Sequence, residues 1–264
     1  MKKTPKAAIY FTASIMLILI AGIVFMVHYL NNRPLEYVAF GDSLAHGYPY
    51  HNENKAYSYT DFILKQLNNV EELKNKVSYT NYGISGFTSS DLLTQISNND
   101  VLRKVSKADI ITINIGGNDM LRALNKYSLD DYESILGTID KYADNLVEIF
   151  TELRDKNPNA HIYMANLFIP STKNDNSINQ DKARYIVSYI NRIITNTSKP
   201  YNIKVVQVES IFKGHEFGTP DSWFFDPLHP NQRGYSEMAK PFFTVITQDL
   251  QTENFGDKLR DYVQ

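Results

Sequence analysis

The sequence predicts a doubly wound α/β domain, a parallel five-stranded sheet covered by helices on both faces, preceded by one N-terminal transmembrane helix. Three observations carry this prediction. Runs rich in apolar residues at 37–40, 77–82, 110–115, 162–167 and 203–208 have the length and composition of strands in a parallel sheet covered on both faces. Helical patterns lie between these runs, and parallel neighbours need such crossovers, which lay helices over the sheet. An uncharged run at 7–30 follows Lys2, Lys3 and Lys6.

That run holds His28 as its only readily titratable residue. As a helix it would extend roughly 36 Å at about 1.5 Å per residue, enough to cross a hydrocarbon core of about 30 Å. It ends in Phe25-Met26-Val27-His28-Tyr29-Leu30, without the small residues of a cleavage site, so an uncleaved anchor is expected. The basic start then stays inside and the rest of the chain outside. The expected localisation is the cell membrane, single-pass, with the globular domain extracellular; secretion after signal cleavage is the alternative. The domain division follows as 1–30 for the lysine-rich start and anchor, 31–36 for a connector, and 37–264 for one globular domain.

Strand one stops at Gly41 and delivers Asp42 and Ser43 onto a turn. Phe62, Ile63, Leu67 and Val70 then share a helical stripe, and strand two ends in Asn81-Tyr82-Gly83-Ile84-Ser85-Gly86. Strand three runs into Gly116-Gly117-Asn118-Asp119, with residues 120–127 read as a loop. The helix marked by Ile135, Ile139, Tyr142, Leu146, Ile149 and Leu153 is expected to start at Ser128, with Asp131 three residues on. Ala183, Val187, Ile190 and Ile194 mark the next helix. Tyr235, Met238, Phe242 and Ile246 mark the last, which Pro241 should kink.

Composition narrows the chemistry. With 43% hydrophobic and 21% charged residues and a net charge of -2, the chain has the balance of a globular protein and lacks a basic footprint for nucleic acid. Cysteine is absent, which excludes thiolate metal sites, a cysteine nucleophile and disulfides. No cofactor and no protein partner is expected.

Parallel strands finish on one edge, so the motifs after strands one, two and three become neighbours. A fourth motif, Asp226-Pro227-Leu228-His229-Pro230-Asn231, precedes the last helix. Proline at its second position suits a turn that brings Asp226 to His229, within about 7 Å. A histidine held by a carboxylate is what a serine nucleophile requires, and Asn231 would cap the helix beyond. The Gly83 N–H and the Asn118 amide could meet the oxyanion formed when Ser43 attacks an ester. Each motif alone also has a plain reading: a turn at Gly-Asp-Ser, a rigid helix entry at Asp226, a tight turn at Gly83, a self-capping side chain at Asn118.

The four blocks in this order resemble the GDSL or SGNH hydrolase superfamily of esterases and lipases, whose name spells the residue types found at Ser43, Gly83, Asn118 and His229. The resemblance runs from Glu36 to about Leu250. It implies Ser43 as nucleophile, His229 as base with Asp226 behind it, and an oxyanion hole from the Ser43 N–H, the Gly83 N–H and the Asn118 side chain. It also implies a flavodoxin-like three-layer domain. Leu44-Ala45-His46 departs from the small hydroxyl residue that many relatives carry after the serine.

The expected function is hydrolysis of carboxylic esters or thioesters, small-molecule or lipid-like, through an acyl-enzyme. Alternatives are an O-acetyl esterase or acyltransferase acting on wall polysaccharide, and a non-catalytic surface binding module. A divalent metal held by Asp42, Asp119, Asp226 and His229 is a further alternative, although no His-x-His accompanies them. Tyr48, Tyr50, Trp223, Phe224 and Phe225 flank the site and could form an apolar acyl pocket or simply pack. His46 reads as a surface or pocket-rim residue. His51, His161 and His215 lack a carboxylate at motif spacing and read as structural.

Overall fold

The computed structural model describes residues 6–49, 57–126, 131–169 and 177–252. The chain divides into two compact units, Met1–Pro34 and Leu35–Gln264. The first holds helix α1 (Lys6–Asn32), which is unbroken because the run contains no proline and a single glycine. Apolar side chains such as Phe11, Leu17 and Phe25 stand exposed on it. Among the described residues no helix is long and apolar enough to cross a membrane. The fold therefore lends no support to the span expected over 7–30, and Lys2 and Lys3 lie outside the described residues.

In the second unit the five apolar runs form β1 (Leu35–Gly41), β2 (Val77–Asn81), β3 (Ile110–Asn114), β4 (His161–Ala165) and β5 (Lys204–Val206). They join into one sheet in the order β2-β1-β3-β4-β5, every pair parallel. Successive side chains of a strand point to opposite faces, and β1 shows the result. Val38 and Phe40 enter one core layer, and Tyr37 and Ala39 enter the other. The first layer is closed by α4 (Ser89–Ile96), α5 (Asn99–Val105), α7 (Tyr132–Lys156) and α8 (Ser177–Ser198). The second is closed by α3 (Tyr59–Asn69) and α9 (Gln232–Thr252). β2 and β3 flank β1 on opposite sides, so the chain reverses direction across the sheet between β1 and β3. Binding crevices form at that switch point, outside the carboxyl ends of the strands.

Several expected boundaries move. Helix α7 is capped by Asp131, whose side chain accepts from the Ser134 N–H; Ser128 lies outside the described residues. Residues expected as a loop after strand three instead form α6 (Gly117–Lys126). Helices α4 and α5 were not anticipated, being only 8 and 7 residues long. Helix α9 runs on through Pro241, as part of one 21-residue helix.

Candidate active site

Ser43 opens a single turn of helix, α2 (Ser43–His46), directly beyond β1. Gly41 makes that exit possible. Its φ is +149°, and a Cβ there would lie 2.2 Å from the Asn114 carbonyl oxygen, so no larger residue fits. Asp42 caps the turn, accepting a hydrogen bond from the Leu44 N–H at 3.0 Å. The hydroxyl of Ser43 is thereby delivered to the carboxyl edge of the sheet.

The Asp226–His229 turn meets it there. Asp226 Oδ1 accepts from the N–H groups of Leu228 and His229, each at 2.8 Å. His229 Nδ1 lies 2.8 Å from Oδ2 and 3.0 Å from Oδ1 of the same carboxylate. An ionised carboxylate only accepts, which places the imidazole proton on Nδ1 and leaves Nε2 free to accept. Nε2 lies 3.1 Å from Ser43 Oγ. Asn231 holds the turn from behind: its Oδ1 accepts from the Gly234 N–H (3.0 Å) as the cap of α9, and its amide donates to the Ser222 carbonyl (3.0 Å). Desolvation pushes the Asp226 carboxyl up. The hydrogen bonds from His229 and Leu228 outweigh it and hold the group below its ordinary value.

Two other acids under the serine behave differently. Burial pushes Asp42 up to about 7, with the neighbouring charge of Asp119 adding to the rise. Asp119 is raised as well, chiefly by desolvation, although Ser89 donates to it through both its N–H (2.9 Å) and its hydroxyl (2.6 Å). Asp119 thus ties α6 to the start of α4. Among the described residues no group of three or more His, Asp or Glu is arranged to hold a metal ion.

The glycine expected in the oxyanion hole needs correction. The Gly83 N–H donates to Asn81 Oδ1 at 2.8 Å, and the residue does not line the cleft in front of Ser43. It is a glycine for another reason: a Cβ would sit 2.6 Å from the His46 nitrogen, against the back of α2. Gly86, three residues on, lines the cleft together with Ser43 and Asn118. Its φ is +86°, and its N–H has no hydrogen-bond partner among the described residues. The Asn118 amide gives one hydrogen to the Phe87 carbonyl (2.9 Å), which aims the group and leaves its second hydrogen. Asn81 was missed in the sequence. Besides holding Gly83, its amide donates to the Ala45 carbonyl at 2.7 Å, so it staples the serine's helical turn to the loop that carries Gly86.

The aromatic residues separate into three groups. Phe224 lines the cleft, and the Tyr48 ring packs on the His229 imidazole with centroids 4.4 Å apart. Trp223 does not line the cleft: it is stacked on His215 at 3.6 Å with Arg233 5.0 Å from its ring, which makes it a buttress of the Asp226 loop. Phe225 is half exposed, and Tyr50 and His51 lie outside the described residues. His215 also has a carboxylate after all, Asp221 at 3.1 Å, and His161 lies 3.8 Å from Asp249. His46 Nδ1 lies 3.0 Å from the Gly83 carbonyl, behind α2.

The parallel sheet thus carries a serine, an imidazole and a carboxylate in line at its carboxyl edge. A profile of the GDSL-like Lipase/Acylhydrolase family matches residues 39–236. The chain belongs to that family and is an ester hydrolase. It is 28% identical over 212 residues to the spore germination lipase LipC of Bacillus licheniformis, covering 78% of this chain and 93% of the relative. Among solved structures it is similar to the lipase Lip_vut3 from a goat rumen metagenome, with a TM-score of 0.65, 24% identity, and coverage of 85% of this chain and 99% of that one. It is also similar to the acetylxylan esterase Axe2 of Geobacillus stearothermophilus, with a TM-score of 0.61, 21% identity, and coverage of 80% and 93%. At those identities the two structures speak to the fold.

Proposed function

We propose that this chain hydrolyses carboxylic esters or thioesters with Ser43 as nucleophile, His229 as general base and acid, and Asp226 as the group that orients and stabilises the imidazole. The observation that carries the reading is the unbroken line from Asp226 Oδ2 through His229 Nδ1 and Nε2 to Ser43 Oγ, at 2.8 and 3.1 Å. Ser43 Oγ attacks the carbonyl carbon while its proton passes to Nε2, and the carbonyl oxygen becomes an oxyanion. The N–H groups of Ser43 and Gly86 and the second Asn118 hydrogen meet that charge. His229 then gives the proton to the leaving oxygen or sulfur, which departs and leaves an acyl-serine. Water repeats the sequence with His229 again as base, releasing the acid and restoring the serine.

The test is turnover of p-nitrophenyl butyrate by the full chain and its Ser43→Ala variant. A loss of several orders of magnitude in a variant that melts like the parent supports the reading, and near-normal turnover overturns it.

Attachment to a membrane through residues 7–30, with the hydrolase domain outside, rests on the sequence alone. Lys2, Lys3 and Lys6 ahead of an uncharged run support it. Recovery of the expressed full chain in membranes after an alkaline carbonate wash is expected, and recovery in the soluble fraction would count against it.

A further inference from the structure

The Asp226–His229 turn closes a small hairpin whose far side is anchored by one indole ring. The Phe225 N–H donates to the His229 carbonyl (2.8 Å) and the Asn231 N–H to the Trp223 carbonyl (2.9 Å), with an antiparallel bridge between Phe224 and Pro230. Wherever Trp223 sits, His229 follows. The first turn of α9 closes on the same backbone: a Cβ on Gly234 would lie 2.3 Å from the Trp223 carbonyl oxygen. No hydrogen bond fixes the Trp223 side chain itself. It is 9% exposed, and its Nε1–H has no partner among the described residues, where a buried indole ordinarily finds one.

The ring is held by its π faces instead. His215, from the segment after β5, stacks on it with centroids 3.6 Å apart and planes 5° from parallel, and the Arg233 guanidinium of α9 lies 5.0 Å from its centre. One carboxylate ties these two residues together. Asp221 Oδ1 accepts from Arg233 at 2.8 Å, and Asp221 Oδ2 lies 3.1 Å from His215 Nδ1. The Asp221 carbonyl oxygen is also 3.1 Å from that nitrogen, and two acceptors before Nδ1 place a proton on it. The Trp223 N–H donates to the His215 carbonyl at 3.0 Å, so one residue grips both the backbone and the ring. Asp221 and Arg233 are each more than half exposed, and ion pairs of that kind add little to stability.

Resting on the catalytic reading above, we infer that His215, Asp221 and Arg233 form a positioning bracket, which acts through Trp223 to hold the His229 imidazole within reach of Ser43. His215 and Asp221 make a second histidine–carboxylate pair in the chain, and neither they nor Arg233 and Trp223 line the cleft. The bracket touches no reacting atom. It acts because His229 Nε2 must accept from Ser43 across 3.1 Å, and a misplacement of about 1 Å can cost about 10²-fold in rate. Loosening it lowers kcat while KM and the fold are largely kept.

The experiment measures kcat and KM of the full chain on p-nitrophenyl butyrate in His215→Ala, His215→Phe and Asp221→Ala, so that a folding defect in one leaves the others as a test. The two alanine variants should lose about 10- to 100-fold in kcat with KM changed by less than about threefold. His215→Phe keeps a flat ring against Trp223 and should recover most of the His215→Ala loss. In a His229→Ala background, His215→Ala should cost less than about twofold, because residues that act through one another are not additive. Trp223 is the only tryptophan of the chain and a contacting imidazole quenches indole emission, so its fluorescence should rise in His215→Ala. Wild-type kcat in folded His215→Ala and Asp221→Ala, an equal loss with and without His229, or unchanged emission overturns the bracket. So does a loss in His215→Phe as large as in His215→Ala when both melt like the parent. His229→Ala reports separately: wild-type turnover by it refutes the catalytic reading, whereas a strongly impaired His229→Ala beside fully active bracket variants refutes only the bracket.

Discussion

His229 Nε2 lies 3.1 Å from Ser43 Oγ although 186 residues separate the two. Neither residue sits within a long regular element. Ser43 is thrown forward by the Gly41 exit from β1, and His229 is held by a four-residue turn whose first member is its own carboxylate partner. A meeting so dependent on two short turns makes each supporting contact testable.

Asp226→Asn should lower kcat by about 10²- to 10⁴-fold with KM changed little. An asparagine amide would donate to Nδ1, moving the imidazole proton to Nε2, where it can no longer accept from the serine. The carboxylate is held below its ordinary range. Its contribution to stability is therefore present above the unfolded pKa of about 3.9, and is lost as pH falls through the lower folded value. Acid unfolding monitored by circular dichroism should accordingly be less pH-dependent in the variant as pH falls below about 4. An Asp226→Asn enzyme with wild-type kcat would remove the carboxylate from the mechanism.

Asp42 has the opposite sign. Burial raises it from 3.8 to about 7, so the folded state holds its proton more tightly than the unfolded chain does. Stability is then greatest below about pH 4 and declines as pH rises toward about 7. Asp42→Asn keeps an acceptor for the Leu44 N–H and removes the buried charge, so it should stabilise the protein at pH 8 by on the order of a few kcal/mol and hardly at all at pH 4. Thermal melts at both pH values check this. An equal shift at the two would show that ionisation is not the cause.

The two glycines after β2 should respond differently. Gly83→Ala drives a Cβ into the backbone of α2, and is expected to lower Tm by several degrees. Gly86→Ala meets open space, but its φ of +86° is strained for alanine, so the N–H shifts and kcat should suffer more than Tm. Asn118→Ala should lower kcat by roughly 10²- to 10³-fold with little change in KM, as expected of a donor used in the transition state. Steady-state kinetics beside melting curves decides the assignment. A large kcat loss at Gly83 with intact stability would restore that residue to the oxyanion hole.

What could be read in the chain follows the range of the interactions involved. The five strands, the serine at the Gly41 exit and the Asp226–His229 turn depend on contacts within a few residues, and apolar runs, a glycine and a proline encode them directly. Gly83 and Gly86 could not be told apart, because the choice turns on Asn81, whose amide reaches across to Ala45 on another element. Trp223 was misplaced for the same reason: its neighbours His215 and Arg233 lie 8 and 10 positions away, on either side of the turn it supports. The short helix α4 did leave a local signal, the capping box of Thr88 and Asp91, and Ser58 with Asp61 marks the start of α3 in the same way. A stripe of apolar residues is a weak guide over two turns; the caps were the better one.

The central claim is that Ser43 is a nucleophile activated by His229, and its most direct test is reaction with a fluorophosphonate. Ser43 Oγ would displace fluoride from phosphorus, leaving a single phosphonyl adduct. Intact-mass analysis of the full chain should show one adduct, peptide mapping should place it on Ser43, labelling should be slowed strongly in His229→Ala, and Ser43→Ala should remain unlabelled. An adduct on another residue, or labelling of Ser43→Ala at the wild-type rate, would contradict the account.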